Sequence, residues 1–170
     1  MNLKKIKAGK NFPEDINVFI EIPQGSGIKY ELDKDSEIIV VDRFNYTSMS
    51  YPFNYGFIPN TMAEDGDPVD VLVLSSYPVS PGTVIPSRPI GMLEMEDEAG
   101  IDTKILAVPT VKVDPFYSHI NDIADIDDST KTKIRHFFDH YKEIEPGKWV
   151  KTKAFLNAKK AKEDLIAHRK

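Results

Sequence analysis

The sequence predicts a mainly β protein with α-helices at its end, built as a small β-barrel or sandwich followed by two C-terminal helices. Short apolar runs, separated by glycine, proline, asparagine and aspartate, occupy the first two thirds of the chain, which is typical of barrels and sandwiches. The 12 prolines lie mostly between these runs, as expected for loop-rich β-structure. In the last third, the apolar spacing changes to that of an amphipathic helix.

Six strands are predicted from the periodicity of the apolar residues. The first strand alternates, which places Val18, Ile20 and Ile22 on one face. Residues 38–41 form a continuous apolar run instead, and we expect them to form a buried strand. In chain order, the predicted strands are residues 17–22, 28–32, 38–41, 69–74, 89–95 and 103–108.

Two helices are predicted near the end of the chain. An aspartate or serine at positions 127–129 caps the first helix, and Pro146-Gly147 follows its end. Its apolar face has the spacing i, i+3, i+4, i+7 and consists of Ile134, Phe137, Phe138 and Tyr141. A second, weaker helix begins near Asn157, and its apolar stripe consists of Ala158, Ala161, Leu165 and Ile166.

The composition predicts one folded domain that covers residues 1–170. Hydrophobic residues make up 41% of the chain and charged residues 29%, which supports a core under a charged surface and excludes a disordered chain. The chain contains no cysteine, so disulfides, zinc–thiolate sites and a cysteine nucleophile are excluded, and a reducing compartment is favoured.

The sequence also bounds the location and the partners. It shows no signal-peptide pattern and no apolar stretch as long as a membrane span, so we expect a soluble cytoplasmic protein without a membrane partner. The net charge of −5 disfavours a nucleic-acid partner. An enzyme for a polyanion can still be acidic, because bound metal ions reverse the local field.

The segment DGDPVD at positions 65–70 carries the strongest functional signal. Its three carboxylates lie within six residues, where Gly66 permits unusual backbone angles and Pro68 stiffens the exit. Crowded carboxylates repel each other unless cations lie among them, and such hard oxygen ligands suit Mg²⁺ or Mn²⁺. An EF-hand loop does not fit the spacing. On this segment alone, a metal site and a solvated acidic turn are equal alternatives.

Further polar residues are interleaved with the predicted strands. A second acidic group, EDE at positions 96–98, precedes Asp102 and Lys104, and alone it is typical of a charged hairpin. It gains significance if it faces the first acidic segment across the mouth of a barrel. Lys29 and Glu31 lie on the same face of one predicted strand, which by itself indicates only an ion pair.

Together these positions resemble the soluble family I inorganic pyrophosphatases of the compact bacterial type. The resemblance covers nearly the whole chain, from positions 9–16 to positions 147–151. The family signature alternates aspartates with small and aliphatic residues and reads DGDPVDV at positions 65–71. The other matching landmarks are EIP at 21–23, KYE at 29–31, VDR at 41–43, YP at 51–52, NYG at 54–56, RP at 88–89, DEAG at 97–100, Asp102, Lys104 and HYK at 140–142.

The resemblance implies an OB-like five-stranded β-barrel with the active site at its mouth. Asp65, Asp70 and Asp102 would bind a first metal ion, with Asp70 shared with a second ion. Asp97 would join Asp102 around an ion that arrives with the substrate, and Glu21 and Glu31 would lie near a further ion. Asp67 would accept the proton of the attacking water. The phosphate oxygens would be held by Lys29, Arg43, Tyr55, Tyr141 and Lys142, with Lys104 close by.

The implied function is a Mg²⁺-dependent inorganic diphosphatase, with several ions per active site and Mn²⁺ as a substitute. Such an enzyme hydrolyses pyrophosphate to two orthophosphates with metal-activated water and without a covalent intermediate. Two other functions remain open from the residues alone. One is a metal-dependent phosphohydrolase of another substrate. The other is an OB-type module that stacks single-stranded nucleic acid on Tyr51, Phe53 and Tyr55.

The resemblance also implies a homo-oligomer, namely a hexamer built as a dimer of trimers. His136 and His140 lie one helical turn apart, off the apolar face of the first predicted helix. By themselves they are typical of solvated surface histidines. The resemblance favours a subunit contact at this position.

Overall fold

The computed structural model describes residues 5–170. Over these residues it has a mainly β fold with two α-helices, α1 (Asp128–His140) and α2 (Ala158–Ala167). This fold class is the predicted one and is confirmed. The strands are β1 (Ile16–Ile22), β2 (Ile28–Asp33), β3 (Ile38–Phe44), β4 (Asn54–Phe57), β5 (Asp70–Val73), β6 (Val84–Asp97), β7 (Gly100–Ile101), β8 (Lys104–Pro109) and β9 (Val150–Asn157).

Five of the strands pair in a closed circuit, which runs β1, β4, β5, β8, β6 and back to β1. Neighbouring strands are antiparallel except for β5 and β8, which run parallel. A closed circuit satisfies the backbone groups of every strand on both sides. The five-stranded barrel that the resemblance implies is therefore confirmed.

Strand β4 lies so close to β1 that position 56 accepts only glycine. A Cβ atom built on Gly56 would lie 1.9 Å from the carbonyl oxygen of Phe19. This close approach brings the neighbouring Tyr55 opposite Ile22, at the end of β1. The Tyr55-Gly56 dipeptide therefore helps to place an aromatic hydroxyl at the mouth of the barrel.

Strand β6 connects the barrel with its surroundings. It has 14 residues and pairs with β1, β7, β8 and β9. Its register shifts between Pro89 and Gly91 and again between Leu93 and Met95. Such irregularities bend a strand and let it leave one sheet layer for another. The far end of β6 carries Asp97, one of the predicted site residues.

The prediction that residues 38–41 are buried is wrong. Strand β3 pairs with β2 in a separate two-stranded sheet outside the barrel. Ile38 is 57% exposed and Val41 is 51% exposed. A continuous apolar run thus indicates a strand here, but the hairpin β2–β3 has too little protein packed around it to bury both of its faces.

The apolar periodicity does not predict β4 or β9. Strand β4 is short and reads as part of an aromatic loop in the sequence. Strand β9 carries Lys151 and Lys153 at exposed positions, which lowers its apolar content. Both strands are stabilised by pairing with distant parts of the chain, β4 with β1 and β5, and β9 with β6.

Helix α1 packs its predicted face onto the barrel. Ile134, Phe137 and Phe138 are at most 2% exposed. The side chain of Asp127 accepts a hydrogen bond from the backbone N–H of Thr130 and so caps the helix start. The buried face fixes the orientation of α1, and thereby the positions of the residues that follow its last turn.

Helix α2 buries Ala161 and Leu165, as predicted. Ile166 is 60% exposed, so its assignment to the apolar stripe is wrong. It follows Leu165 directly and is therefore rotated by about 100° around the helix axis, away from the barrel. Among residues 5–170, the structure contains no helix with both the length and the apolar character that a membrane span requires.

Candidate active site

A cavity of about 590 Å³ opens between the barrel, the hairpin β2–β3 and the loop that precedes β5. Its volume suits a small ligand. Seven of the predicted site residues line the cavity directly: Glu21, Lys29, Glu31, Tyr55, Asp65, Asp67 and Asp70. Of the other predicted residues, Asp102 and Lys104 are connected to the cavity through Asp70. Arg43 is connected to it through Asp42 and Lys29.

The parallel pairing of β5 and β8 brings Asp70 of the first acidic segment close to Asp102 and Lys104. In this register, Asp70 at the start of β5 lies beside Lys104 at the start of β8. The Lys104 ammonium donates hydrogen bonds to Asp70 Oδ2 at 2.6 Å and to Asp102 Oδ1. Asp102 and Lys104 thus meet the first acidic segment, whereas the side chains of the EDE group at 96–98 pair with lysines instead. Asp70, Asp102, Lys104 and Tyr55 are called the barrel wall of the cavity.

The barrel wall carries surplus negative charge in a buried setting. The Lys104 side chain is only 4% exposed. Burial alone would lower the pKa of Lys104, but the carboxylates of Asp70 and Asp102 outweigh it and raise that pKa above its usual value. Burial raises the pKa of Asp102, against the opposing effect of Lys104. Two carboxylates share one ammonium group, so the wall attracts a further cation.

Tyr55 and Glu21 complete this side of the cavity. The Tyr55 hydroxyl donates a hydrogen bond to Asp70 Oδ2 at 2.7 Å, and burial raises the pKa of Tyr55 well above its usual value. Glu21 Oε1 accepts a hydrogen bond from the backbone N–H of Leu32 at 2.8 Å, which joins β1 to the hairpin. Burial raises the pKa of Glu21 to about 7. A nearby cation would therefore stabilise the ionised form of Glu21.

The acidic turn before β5 also lines the cavity. Gly66 has a φ of +87°, a backbone angle that favours glycine. Asp65 Oδ1 accepts a hydrogen bond from the backbone N–H of Asp67 at 2.9 Å. Asp67 also accepts a hydrogen bond from Lys34, in the turn between β2 and β3. The side chains of Lys34 and Asp67 are 68% and 63% exposed, respectively. Asp65, Asp67 and Lys34 are called the loop wall.

Two cations lie opposite each other on the hairpin. Lys29 and Arg43 are partners in the β2–β3 register, and Asp42 contacts both of them. Asp42 Oδ2 accepts hydrogen bonds from Lys29 Nζ at 3.1 Å and from Arg43 Nη1 at 2.5 Å. Burial would raise the pKa of Asp42, but the two cations outweigh it and lower that pKa. Lys29 also pairs with Glu31, so the two cations of the hairpin are balanced by two carboxylates beside the cavity.

Tyr141 and Lys142 follow the last residue of α1. The Lys142 ammonium donates a hydrogen bond to Asp97 Oδ2 at 2.9 Å, and its side chain is 8% exposed. The Tyr141 ring packs against Phe137 and Tyr51, with centroid distances of 4.9 and 6.2 Å. Burial raises the pKa of Tyr141 to about 12. The end of α1 therefore contributes one ammonium group and one protonated hydroxyl.

The carboxylates of Asp70 and Asp102 suit a divalent cation, although their side chains are not arranged around a common metal position. Over residues 5–170, no group of three or more His, Cys, Asp or Glu side chains is arranged to hold a metal ion. The carboxylates of Asp70 and Asp102 instead hold the ammonium group of Lys104 between them. Their hard oxygen atoms and their surplus negative charge match the preferences of Mg²⁺.

Three polar residues of this region were not assigned from the sequence: Lys34, Asp42 and Glu145. Asp42 precedes Arg43 in the chain, and its proximity to that cation is a signal that the sequence does contain. Lys34 contacts Asp67, and Glu145 Oε2 lies 3.3 Å from Arg43 Nε. These last two contacts join distant parts of the chain, so they require the tertiary structure.

Known proteins resemble this chain over almost its whole length. The family model described as inorganic pyrophosphatase matches residues 18–170. The inorganic pyrophosphatase of Aquifex pyrophilus is 61% identical over 165 residues, which are 97% of this chain and 93% of that protein. The inorganic pyrophosphatase of Saccharolobus solfataricus is 59% identical over 161 residues, which are 95% of this chain and 94% of that protein.

Solved structures agree with these sequence matches. The crystal structure of inorganic pyrophosphatase from Thermus thermophilus has a TM-score of 0.94 and 46% sequence identity to this chain. The match covers 99% of this chain and 97% of that one, so the barrel, the hairpin and both helices are all included. The sequence relationship and the shared fold together establish that the chain belongs to the inorganic pyrophosphatase family.

Proposed function

We propose that this chain is an inorganic diphosphatase, which hydrolyses pyrophosphate to two orthophosphates by attack of water and without a covalent intermediate. Its relatives are named inorganic pyrophosphatases, which supports the substrate. The observation that carries the proposal is that carboxylates of the barrel wall and the cation Lys29 line one cavity, with Arg43 beside Lys29 in the β2–β3 register. Carboxylates bind divalent cations, whereas Lys and Arg bind phosphate oxygens.

Enzymes of this family depend on metal ions, and we propose Mg²⁺ as the ion, with several ions per active site and Mn²⁺ as a substitute. Bound ions of this kind neutralise phosphate charge and make water more acidic. Asp70 is proposed to be shared between two ions, as the resemblance implies, and its side chain contacts both Tyr55 and Lys104. The full set of proposed metal ligands is Glu21, Glu31, Asp65, Asp70, Asp97 and Asp102.

The proposed phosphate clamp consists of cations and hydroxyl groups that the protein already holds in place. The planar guanidinium of Arg43 can donate two parallel hydrogen bonds to phosphate oxygens. The hydroxyls of Tyr55 and Tyr141 stay protonated at neutral pH, since burial raises the pKa of both. The complete proposed clamp is Lys29, Arg43, Tyr55, Lys104, Tyr141 and Lys142.

Asp67 is the proposed catalytic base. It lies on the exposed loop wall, where water from the solvent reaches it. Its ion pair with Lys34 is exposed, and such pairs contribute about 1 kcal/mol or less, so separating the two side chains costs little. Asp67 would then accept the proton of the attacking water, while the clamp stabilises the charge on the departing phosphate.

Binding of single-stranded nucleic acid is not favoured. Tyr51, one of the three proposed stacking residues, is only 2% exposed and packs against Phe137 at a centroid distance of 4.8 Å. A base needs an exposed aromatic face to stack on. The aspartates of the barrel wall would also repel a phosphate backbone.

We further propose that the chain acts as one domain, residues 1–170, in the cytoplasm, and that it assembles as a hexamer built from two trimers. His136 and His140 pack with their ring centroids 4.7 Å apart, and His140 Nδ1 lies 2.8 Å from Glu143 Oε2. The proposed subunit contact is at these histidines. Light scattering at neutral pH should give the mass of six chains, and a monomer would refute the assembly.

Phosphate release from pyrophosphate, with and without Mg²⁺, tests the proposed activity. We expect rapid release with Mg²⁺ and almost none in excess chelator. ATP and p-nitrophenyl phosphate serve as competing substrates, and we expect both to be hydrolysed much more slowly. Faster hydrolysis of an organic phosphate would assign the site to another phosphohydrolase, and substantial activity in chelator would contradict the role of the metal.

A further inference from the structure

Arg43 is held from two sides by carboxylates. Asp42 Oδ2 accepts a hydrogen bond from Nη1 at 2.5 Å, and Glu145 Oε2 lies 3.3 Å from Nε. The side chain of Glu145 is 15% exposed and that of Arg43 is 28% exposed, so this ion pair is partly withdrawn from water. A guanidinium contacted on two of its edges is fixed in the orientation of its plane.

Glu145 belongs to the turn that follows α1. Its backbone N–H donates to the carbonyl oxygen of Lys142 at 3.0 Å, and its own carbonyl accepts from the N–H of Lys148 at 3.1 Å. The same turn carries Lys142 of the proposed clamp. The Glu145–Arg43 pair therefore joins the clamp residues at the end of α1 to those of the hairpin β2–β3.

A carboxylate at this position opposes the binding of an anion. Its negative charge lies against a guanidinium that is proposed to bind phosphate, and it partly offsets the attraction between the two. Such a charge is favourable for the reaction only if the orientation that it imposes on Arg43 outweighs the lost attraction. Asp42 alone does not impose that orientation, because it contacts one edge of the guanidinium and is shared with Lys29.

We propose that Glu145 is a positioning residue, which orients the guanidinium of Arg43 toward the phosphate and keeps the hairpin in register with the end of α1. This inference rests on the proposed function. It predicts that Glu145 acts on substrate binding through Arg43 and leaves the binding of Mg²⁺ unchanged.

The test compares Glu145→Ala, Glu145→Gln and Arg43→Ala with the double variant Glu145→Ala/Arg43→Ala. For Glu145→Ala we expect KM for pyrophosphate to rise by about tenfold, with a smaller change in kcat. Glu145→Gln keeps an acceptor of the same size, so its KM should lie between those of the wild type and Glu145→Ala. In the Arg43→Ala background, adding Glu145→Ala should change KM by less than about twofold, because the partner is already missing.

Glu163→Gln is the matched control. Glu163 lies on α2 and is 47% exposed, and its contacts are with Lys159 and Lys160 rather than with the hairpin. We expect wild-type KM and kcat for this variant. Thermal unfolding and the affinity for Mg²⁺ should be close to wild type for Glu145→Gln, which separates positioning from a loss of folding.

The outcomes separate the two proposals. A wild-type chain that releases no phosphate from pyrophosphate refutes the proposed function, and calorimetric binding of inorganic phosphate then tests Glu145 independently of turnover. An active wild type with an unchanged KM in Glu145→Ala overturns the positioning role. If Glu145→Ala still raises KM tenfold in the Arg43→Ala background, Glu145 does not act through Arg43.

Discussion

The barrel wall and the loop wall of the cavity carry the same functional group, a carboxylate, but hold it in different ways. On the barrel wall, Asp70 and Asp102 are positioned by two parallel strands and bound to Lys104, which is 4% exposed. On the loop wall, Asp67 lies in a turn and is bound to Lys34, with both side chains more than 60% exposed. The carboxylates of the barrel wall are thus held by paired strands and a buried partner, whereas Asp67 of the loop wall is held by an exposed turn.

The difference teaches how firmly each carboxylate is placed. Breaking a buried pair by removing one partner costs about 3–5 kcal/mol, whereas an exposed pair contributes about 1 kcal/mol or less. The barrel wall therefore resists displacement of its carboxylates, which suits residues that must bind an ion at a fixed place. The loop wall can rearrange at little cost, which suits a residue that must first leave a lysine and then take a proton from water.

The largest effect is expected from Asp70→Asn, on the barrel wall. Asparagine has nearly the same shape but lacks the charge, so two proposed ion sites are weakened together. We expect the affinity for Mg²⁺ to fall by roughly 10²-fold and the activity to fall with it. Calorimetric titration of Mg²⁺ and phosphate release measure the two quantities. A variant that loses activity but binds Mg²⁺ normally would break the assignment of Asp70 as a shared ligand.

Asp67→Asn tests the loop wall with the same chemical change. Removal of a positioned base typically lowers the rate by about 10²–10⁴-fold. We expect this loss with nearly normal binding of Mg²⁺ and pyrophosphate, in contrast to Asp70→Asn. Raising the pH should restore part of the rate, because solvent hydroxide then replaces the base. Near-full activity at pH 7, or a loss explained by weaker metal binding, would remove Asp67 as the base.

A matched pair of lysine variants compares the two walls directly by stability. Lys104→Met leaves two carboxylates without their buried partner and should lower the free energy of unfolding by about 3 kcal/mol. Lys34→Met removes an exposed partner and should change the free energy of unfolding by no more than about 0.5 kcal/mol. Urea unfolding at pH 7 in chelator measures both. Equal effects would contradict the distinction between the walls, and recovery of Lys104→Met in Mg²⁺ would sharpen it.

The hairpin cations occupy an intermediate setting, and Arg43→Lys tests them. The change keeps the charge but removes the planar fork, so we expect KM for pyrophosphate to rise by about tenfold while Mg²⁺ affinity stays nearly constant. Steady-state kinetics with a parallel Mg²⁺ titration is the measurement. Unchanged kinetics would remove Arg43 from the clamp.

The smallest effect is expected from Tyr55→Phe. The variant loses one hydroxyl, whose hydrogen bond to Asp70 is worth about 1 kcal/mol in net terms, so we expect a fall in kcat/KM of about fivefold. Comparison of kcat/KM for the variant and the wild type checks this. A loss as large as that of Asp70→Asn would mean that the hydroxyl is needed to hold the metal ligands themselves.

The sequence predicted the elements that depend on local spacing. The face of α1 follows from Ile134, Phe137 and Phe138, which repeat with the period of a helix. Strand β3 was placed correctly but assigned the wrong burial, because a run of apolar residues does not reveal which sheet it joins. Strand β4 was missed, since its pairing with β1 and β5 joins segments that are far apart in the chain.

The site shows the same limit. Its residues were found through a signature and its landmarks, which the sequence displays directly. The arrangement of these residues could not be predicted from the sequence, because the contact of Lys104 with both Asp70 and Asp102 arises from the parallel register of β5 and β8. The contact between Glu145 and Arg43 likewise exists only once the end of α1 lies against the hairpin.

The position of Lys104 also bears on the order in which the molecule is assembled. Its ammonium group is a counter-ion that belongs to the chain itself, so it is present as soon as the chain is synthesised. The pairing of strands β5 and β8 therefore does not require a cation from the solvent. On the proposed function, folding and the binding of Mg²⁺ are then two separate events, and we expect the chain to fold without the ion.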